Sequence, residues 1–187
     1  MLYRVFSVIF ICVVFILPSK QAQSAEISNY LGAASIEYMM GSGDLHGVRA
    51  AIRLPFYHEL DMPWIGPINV EYELSANVFD IHGSSNNEAT YGASFSPVLV
   101  KRIAEWRNHY PIDLEVGIGV AYVHDERFGG TDIGSSYQFE DRIGLSMKLG
   151  EDSNAEIGLR YVHYSNGGFN TKNPGLDFLS FLYLQRF

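Results

Sequence analysis

From Ile68 the chain alternates: Ile68, Val70, Tyr72, Leu74, Ala76 and Val78 are apolar, and Asn69, Glu71, Glu73, Ser75 and Asn77 between them are polar. Side chains on a strand point alternately to opposite faces, so a period of two predicts a strand with one apolar and one polar face. Ile112, Leu114, Val116, Ile118, Val120 and Tyr122 repeat the pattern against Asp113, Glu115, Gly117, Gly119 and Ala121. Val48, Ala50, Ile52, Leu54 and Phe56 oppose Arg49, Ala51 and Arg53, while Ile143, Leu145, Met147 and Leu149 oppose Arg142, Gly144, Ser146 and Lys148. Weaker segments near 28–40 and 89–101, with strong ones near 154–166 and 175–187, bring the predicted strands to eight. Turn-forming stretches separate them, among them Gly41-Ser42-Gly43-Asp44, Gly83-Ser84-Ser85-Asn86-Asn87, Gly129-Gly130, Gly150-Glu151-Asp152-Ser153 and Asn166-Gly167-Gly168. An even number of strands joined in this way predicts antiparallel hairpins.

Ahead of the strands, Arg4 is followed by the apolar run Val5 to Leu17, then Pro18 and the small-residue stretch Ala22-Gln23-Ser24-Ala25. This is the pattern of a secretory signal, and it predicts a cleaved segment 1–24 and a single β domain over 25–187. Beyond it no apolar run approaches the roughly 20 residues that a spanning helix needs. The chain is 47% hydrophobic and 18% charged, too apolar for a disordered protein. Its single cysteine, Cys12, lies in the signal run, which leaves no disulfide framework or cysteine-ligated metal site. A net charge of -8 argues against nucleic acid as a partner, since phosphate binding needs a basic face.

Two architectures bury one face of eight strands: a soluble barrel with apolar residues inward, and an outer-membrane barrel with apolar residues outward. Three features favour the second. The apolar faces are long and nearly uniform in Ile, Leu, Val and Ala. The polar faces carry both signs of charge (Arg49, Arg53, Glu71, Glu73, Asp113, Glu115, Arg142, Lys148, Glu156, Arg160) beside glycines, as suits a small lumen filled with ion pairs. The last strand is amphipathic and ends on Phe187, which resembles the assembly signal of bacterial outer-membrane barrels. Trp64, Trp106, Tyr57 and Tyr110 fall between strands, where an aromatic girdle would lie. The predicted fold is an all-β, eight-stranded antiparallel transmembrane β-barrel of the bacterial outer membrane.

Against that pattern, a few residues are out of place. Parity puts His163 and Ser165 on the lipid face of the seventh strand, and Asp177 on the lipid face of the eighth, where polar groups are costly away from the bilayer edge. If the loop from Gly167 to Pro174 closes an antiparallel pair, Asp177 falls directly opposite His163 and Ser165 lies two residues along the same face. A hydroxyl, an imidazole and a carboxylate then share one exterior patch, in the order a hydrolytic triad requires. One such residue alone would ordinarily be interfacial decoration. Asp141, another acid on an apolar face, is a rival for orienting His163.

The run Arg160-Tyr161-Val162-His163-Tyr164-Ser165-Asn166-Gly167-Gly168, followed by Asn173-Pro174-Gly175-Leu176-Asp177, resembles the C-terminal motif of the lipid A 3-O-deacylases. The resemblance covers about the last thirty residues. It implies an esterase that removes the ester-linked 3-hydroxyacyl chain at the 3 position of lipid A, with lipopolysaccharide as substrate and outer-membrane lipids as surroundings. On the matching positions Ser165 is the nucleophile, His163 the general base and acid, and Asp177 the residue that fixes the imidazole tautomer. Backbone N–H groups of Asn166, Gly167 and Gly168, with the side-chain amides of Asn166 and Asn173, are the candidate oxyanion donors. The family's acid is often Glu, so Asp177 is one methylene shorter. A serine activated by histidine needs no cofactor, and His46, His58, His82, His109 and His124 are scattered without a metal-ligand cluster. A homodimer is a further expectation. The alternative reading is a non-enzymatic barrel with a structural or adhesion role.

Overall fold

The computed structural model describes residues 32–42, 44–55, 58–81 and 89–187. The predicted signal segment and its cleavage site, the start of the domain at 25, Tyr57, His82 and the turn at 83–87 lie outside the described residues. Eleven strands follow in chain order: β1 (Ala33–Gly41), β2 (His46–Arg53), β3 (His58–Met62), β4 (Gly66–Phe79), β5 (Thr90–Trp106), β6 (Tyr110–Val123), β7 (Arg127–Phe128), β8 (Thr131–Asp132), β9 (Tyr137–Lys148), β10 (Ala155–Ser165) and β11 (Leu176–Arg186). Eight of them run in the order β2-β1-β11-β10-β9-β6-β5-β4, and β2 pairs with β4 to close the ring. Every pairing is antiparallel, and the eight are the predicted eight. Closure removes the sheet edges, so no row of backbone donors and acceptors is left facing lipid.

Two excursions were not foreseen. β3 folds back on the start of β4, pairing His58 with Val70 and Met62 with Gly66, and so extends the wall at the end that carries Gly32 and Phe187. β7 and β8 form a small hairpin at the opposite end, within the β6–β9 connection. Neither segment is long enough to show a period. Trp106 and Tyr110 sit side by side at the β5–β6 turn, ring centroids 5.4 Å apart, while Trp64 projects from the β3–β4 turn.

The polarity of the wall is the inverse of a soluble barrel's. Ile36, Ile52, Ile143, Leu145, Leu159 and Phe181 are exposed on its exterior, and Arg49, Arg53, Arg142, Arg160, Glu37, Glu73, Glu115 and Glu140 are buried within. Glu73 accepts from Arg49 at 2.9 Å, Arg142 at 2.5 Å and Arg53 at 3.2 Å. Arg160 reaches Glu37 on β1 and Glu115 on β6, each at 2.6 Å. Glycine makes room for these side chains: a Cβ at Gly144 would stand 2.6 Å from Cγ of Arg160, and one at Gly117 2.7 Å from Nε of Arg142.

The lumen is not polar throughout. At the β7–β8 end Met39, Phe79, Val162, Tyr164 and Phe178 point inward and pack with Phe128 and Ile133 of the hairpin connection, forming an apolar plug. The connection folds into the barrel mouth there, so these inward side chains meet its apolar residues rather than counter-charges. Tyr164 joins the two regions, its hydroxyl donating to Glu140 at 2.8 Å.

Glu73 serves three buried guanidinium groups and is the one carboxylate that hydrogen-bonds Arg142 among the described residues, so Glu73→Ala leaves that buried charge unmatched and weakens the hold on Arg49 and Arg53. The expected loss is about 3–5 kcal/mol, read as a lowered midpoint of denaturant unfolding in detergent. Removing Arg102, which is itself half-exposed where it meets Asp113, should cost less than about 1 kcal/mol.

Candidate active site

β10 carries Tyr161, His163 and Ser165 on its outer face, because Val162 and Tyr164 are committed to the plug inside. The register pairs His163 with Asp177 on β11 and, on its other side, with Asp141 on β9. The predicted pairing across the last hairpin is therefore the one observed. His163 Nδ1 and Asp177 Oδ1 are 2.7 Å apart, so the shorter acid reaches the ring without difficulty from directly across the strand pair. Asp141 makes no hydrogen bond to the imidazole. With Nδ1–H donated to the carboxylate, Nε2 is left as the basic nitrogen.

Two contacts at this ring have no counterpart in the sequence reading. Tyr161 donates its hydroxyl to the same Asp177 Oδ1 at 2.5 Å. Gly175, at φ 76°, lies against the ring, and a Cβ there would stand 2.8 Å from His163 Cε1. Position 175 thus requires glycine for two reasons, its left-handed backbone and the imidazole beside it. The position of Tyr161 two residues before His163 on one face was the available signal. It reads simply as another aromatic on an apolar face.

Ser165 stands beyond His163 on the same face, only 9% exposed, opposite Phe139 of β9. Its hydroxyl makes no hydrogen bond to the ring; such bonds often tighten only once substrate is present. Phe139 also closes on Gly167 and on the ring of Phe169, 6.0 Å away.

The loop after β10 uses several of the predicted oxyanion donors for its own shape. Asn166 donates its backbone N–H to Asn173 Oδ1 at 3.0 Å, and its side-chain amide to the carbonyls of Lys172 at 2.7 Å and Ile133 at 3.2 Å. Its Oδ1 accepts from the Gly168 N–H at 3.0 Å. Asn166 is a buried hub rather than a donor aimed outward, and the Gly168 N–H is occupied. The Gly167 N–H and the Asn173 side-chain nitrogen remain without a hydrogen-bond partner among the described residues. Gly167 and Gly168 both adopt left-handed backbone, φ 63° and 82°, as the tight turn requires. Asn170 ties the same loop to the Gly134 carbonyl, and Lys172 bonds Asp132 at 2.7 Å. Hydrogen bonds from Lys172 and then Arg127 hold the Asp132 carboxyl at about 2. This tie between loops is therefore complete above the ordinary carboxylate range, near pH 4, and is lost as pH falls through about 2.

Beyond the Tyr161–Ile143 pair, toward the far end of the barrel, the outer wall is concave. A groove of about 820 Å³ runs over β6, β9, β10 and β11, lined by Leu114, Ile143, Leu145, Ile157, Leu159 and Phe181. Elsewhere on the barrel the described histidines rest against tyrosines: His46 on Tyr38, His58 on Tyr72, His109 on Tyr110 and His124 on Tyr91.

A closed barrel with an ionic lumen, an apolar exterior and an acid–histidine pair on that exterior defines an outer-membrane hydrolase. A family profile described as lipid A 3-O-deacylase (PagL) matches residues 46–185, and the chain belongs to that family. The lipid A deacylase PagL of Bordetella bronchiseptica is 32% identical over 160 residues, spanning 83% of this chain and 84% of the relative. That of Pseudomonas aeruginosa is 36% identical over 101 residues, 54% of this chain and 56% of the relative. The crystal structure of the outer membrane enzyme PagL superposes with a TM-score of 0.71 at 25% identity, covering 83% of this chain and 99% of that one. The resemblance read from the last thirty residues thus extends over nearly the whole barrel, which is that of an outer-membrane enzyme.

Gly175→Ala is expected to push the imidazole off Asp177. A displacement near 1 Å costs about a hundredfold in turnover, so kcat should fall on that scale while the barrel stays folded, checked by kinetics beside heat-modified gel mobility.

Proposed function

We propose that this protein hydrolyses the ester-linked 3-hydroxyacyl chain at the 3 position of lipid A, on the outside of its own barrel and in the outer leaflet. The observation that carries this reading is the His163–Asp177 pair on the lipid-facing wall, two residues from Ser165 and at the head of an apolar groove. The groove's aliphatic lining suits an acyl chain that never has to leave the leaflet. Family membership supports lipid A as the substrate.

In the proposed reaction Ser165 Oγ bonds to the acyl carbon as its proton passes to His163 Nε2. The carbon–oxygen bond to the sugar then breaks, and the sugar oxygen takes that proton. Water attacks the acyl-serine, gives its proton to Nε2, and releases the 3-hydroxy fatty acid as Ser165 is reprotonated. Asp177 keeps the ring in one tautomer and stabilises the imidazolium. The Gly167 N–H and the Asn173 amide are the donors assigned to the oxyanion, while Asn166 and Gly168 shape the turn that presents them.

Mass spectra of lipid A from cells expressing the protein should show loss of one 3-hydroxyacyl chain. Ser165→Ala should abolish that loss without altering barrel folding; undiminished hydrolysis would remove Ser165 from the mechanism. Asp177→Asn should lower kcat by roughly 10⁴ with KM little changed, the scale seen when a triad acid is neutralised. Asp141→Asn should do much less. The opposite ranking would transfer the orienting role to Asp141.

A further inference from the structure

We infer that Tyr161 is a positioning residue for this hydrolysis, fixing through its hydroxyl the one oxygen of Asp177 that His163 uses. The inference rests on the triad proposed above. Asp177 Oδ1 accepts two hydrogen bonds, from His163 at 2.7 Å and from Tyr161 at 2.5 Å. Tyr161 pairs with Leu179 and His163 with Asp177, so the phenol reaches the acid along the diagonal of the strand pair. Diagonal neighbours lie about 7–8 Å apart, a span that a tyrosine covers and a serine or threonine does not.

The need for such a residue follows from where the acid stands. The side chain of Asp177 is 49% exposed on the outer wall, where no interior packing fixes its torsion. A carboxylate with a single donor can turn about its Cβ–Cγ bond and present either oxygen, or neither, to the ring. A second donor on the same oxygen stops that rotation. A tyrosine serving only as an interfacial anchor would direct its hydroxyl to water and headgroups. Here the hydroxyl is turned along the wall onto the acid.

The test is a double-mutant cycle on the folded barrel with lipid A in mixed micelles. Tyr161→Phe keeps the ring against lipid and removes only the donor. Its kcat should fall about tenfold with KM unchanged, and in an Asp177→Asn background the same change should have no further effect. An equal loss in both backgrounds would show that Tyr161 acts elsewhere and overturn the inference. An unaltered Tyr161→Phe beside a crippled Asp177→Asn would overturn it while sparing the triad. A silent Asp177→Asn would overturn the acid assignment and this inference with it.

Discussion

A strand that slips by one residue exchanges its two faces, so every exterior side chain depends on what holds the register. In this barrel the lumen holds it. Arg160 on β10 is bound to Glu37 on β1 and Glu115 on β6; Arg142 on β9 is bound to Glu73 on β4; Glu140 on β9 is bound to Arg49 on β2. These pairs cross the barrel rather than link neighbours, and a slip of β10 or β9 would carry an arginine into hydrocarbon while leaving its carboxylates buried and unmatched. His163 lies three residues beyond Arg160 on the opposite face of the same strand. The register that satisfies the guanidinium inside is the one that sets the imidazole against Asp177 outside.

The periodic part of this structure was legible from the sequence because period and register are the same information. Alternation over 68–78 and 112–122 marks which face each residue takes, and a short loop between β10 and β11 then suffices to put Asp177 opposite His163. Where the chain leaves that period, legibility stops. β3, β7 and β8 are too short to alternate, and their pairing depends on turns rather than on composition. The amide of Asn166 reads as an oxyanion donor because it adjoins Ser165, but it donates to the carbonyls of Ile133 and Lys172, partners that the loop's fold brings together and that adjacency in sequence does not reveal. Tyr161 was hidden for another reason: its ring belongs on an apolar face, and the hydroxyl at its end is invisible to any hydrophobic pattern.

The loop that carries Gly167 and Asn173 is not an independent flap. Asn166, Asn170 and Lys172 bind it to the β6–β9 connection through Ile133, Gly134 and Asp132, and that connection in turn delivers Phe128 and Ile133 to the lumen plug. The shape of this loop is thereby anchored to the apolar plug of the barrel. Its orientation is prepaid in the fold, which suits the reaction proposed above, in which a substrate held in a leaflet approaches from one side only.

The plug has a consequence for the membrane rather than for the reaction. Phe79, Phe128, Tyr164 and Phe178 fill the barrel mouth, and the guanidinium–carboxylate lattice fills the space beneath them. Where a porin's wall encloses a water column, the described residues of this wall enclose packed side chains. A lumen filled in this way differs from a pore in what it offers the membrane: copies of the protein add wall, not the wide water-filled passage of a porin.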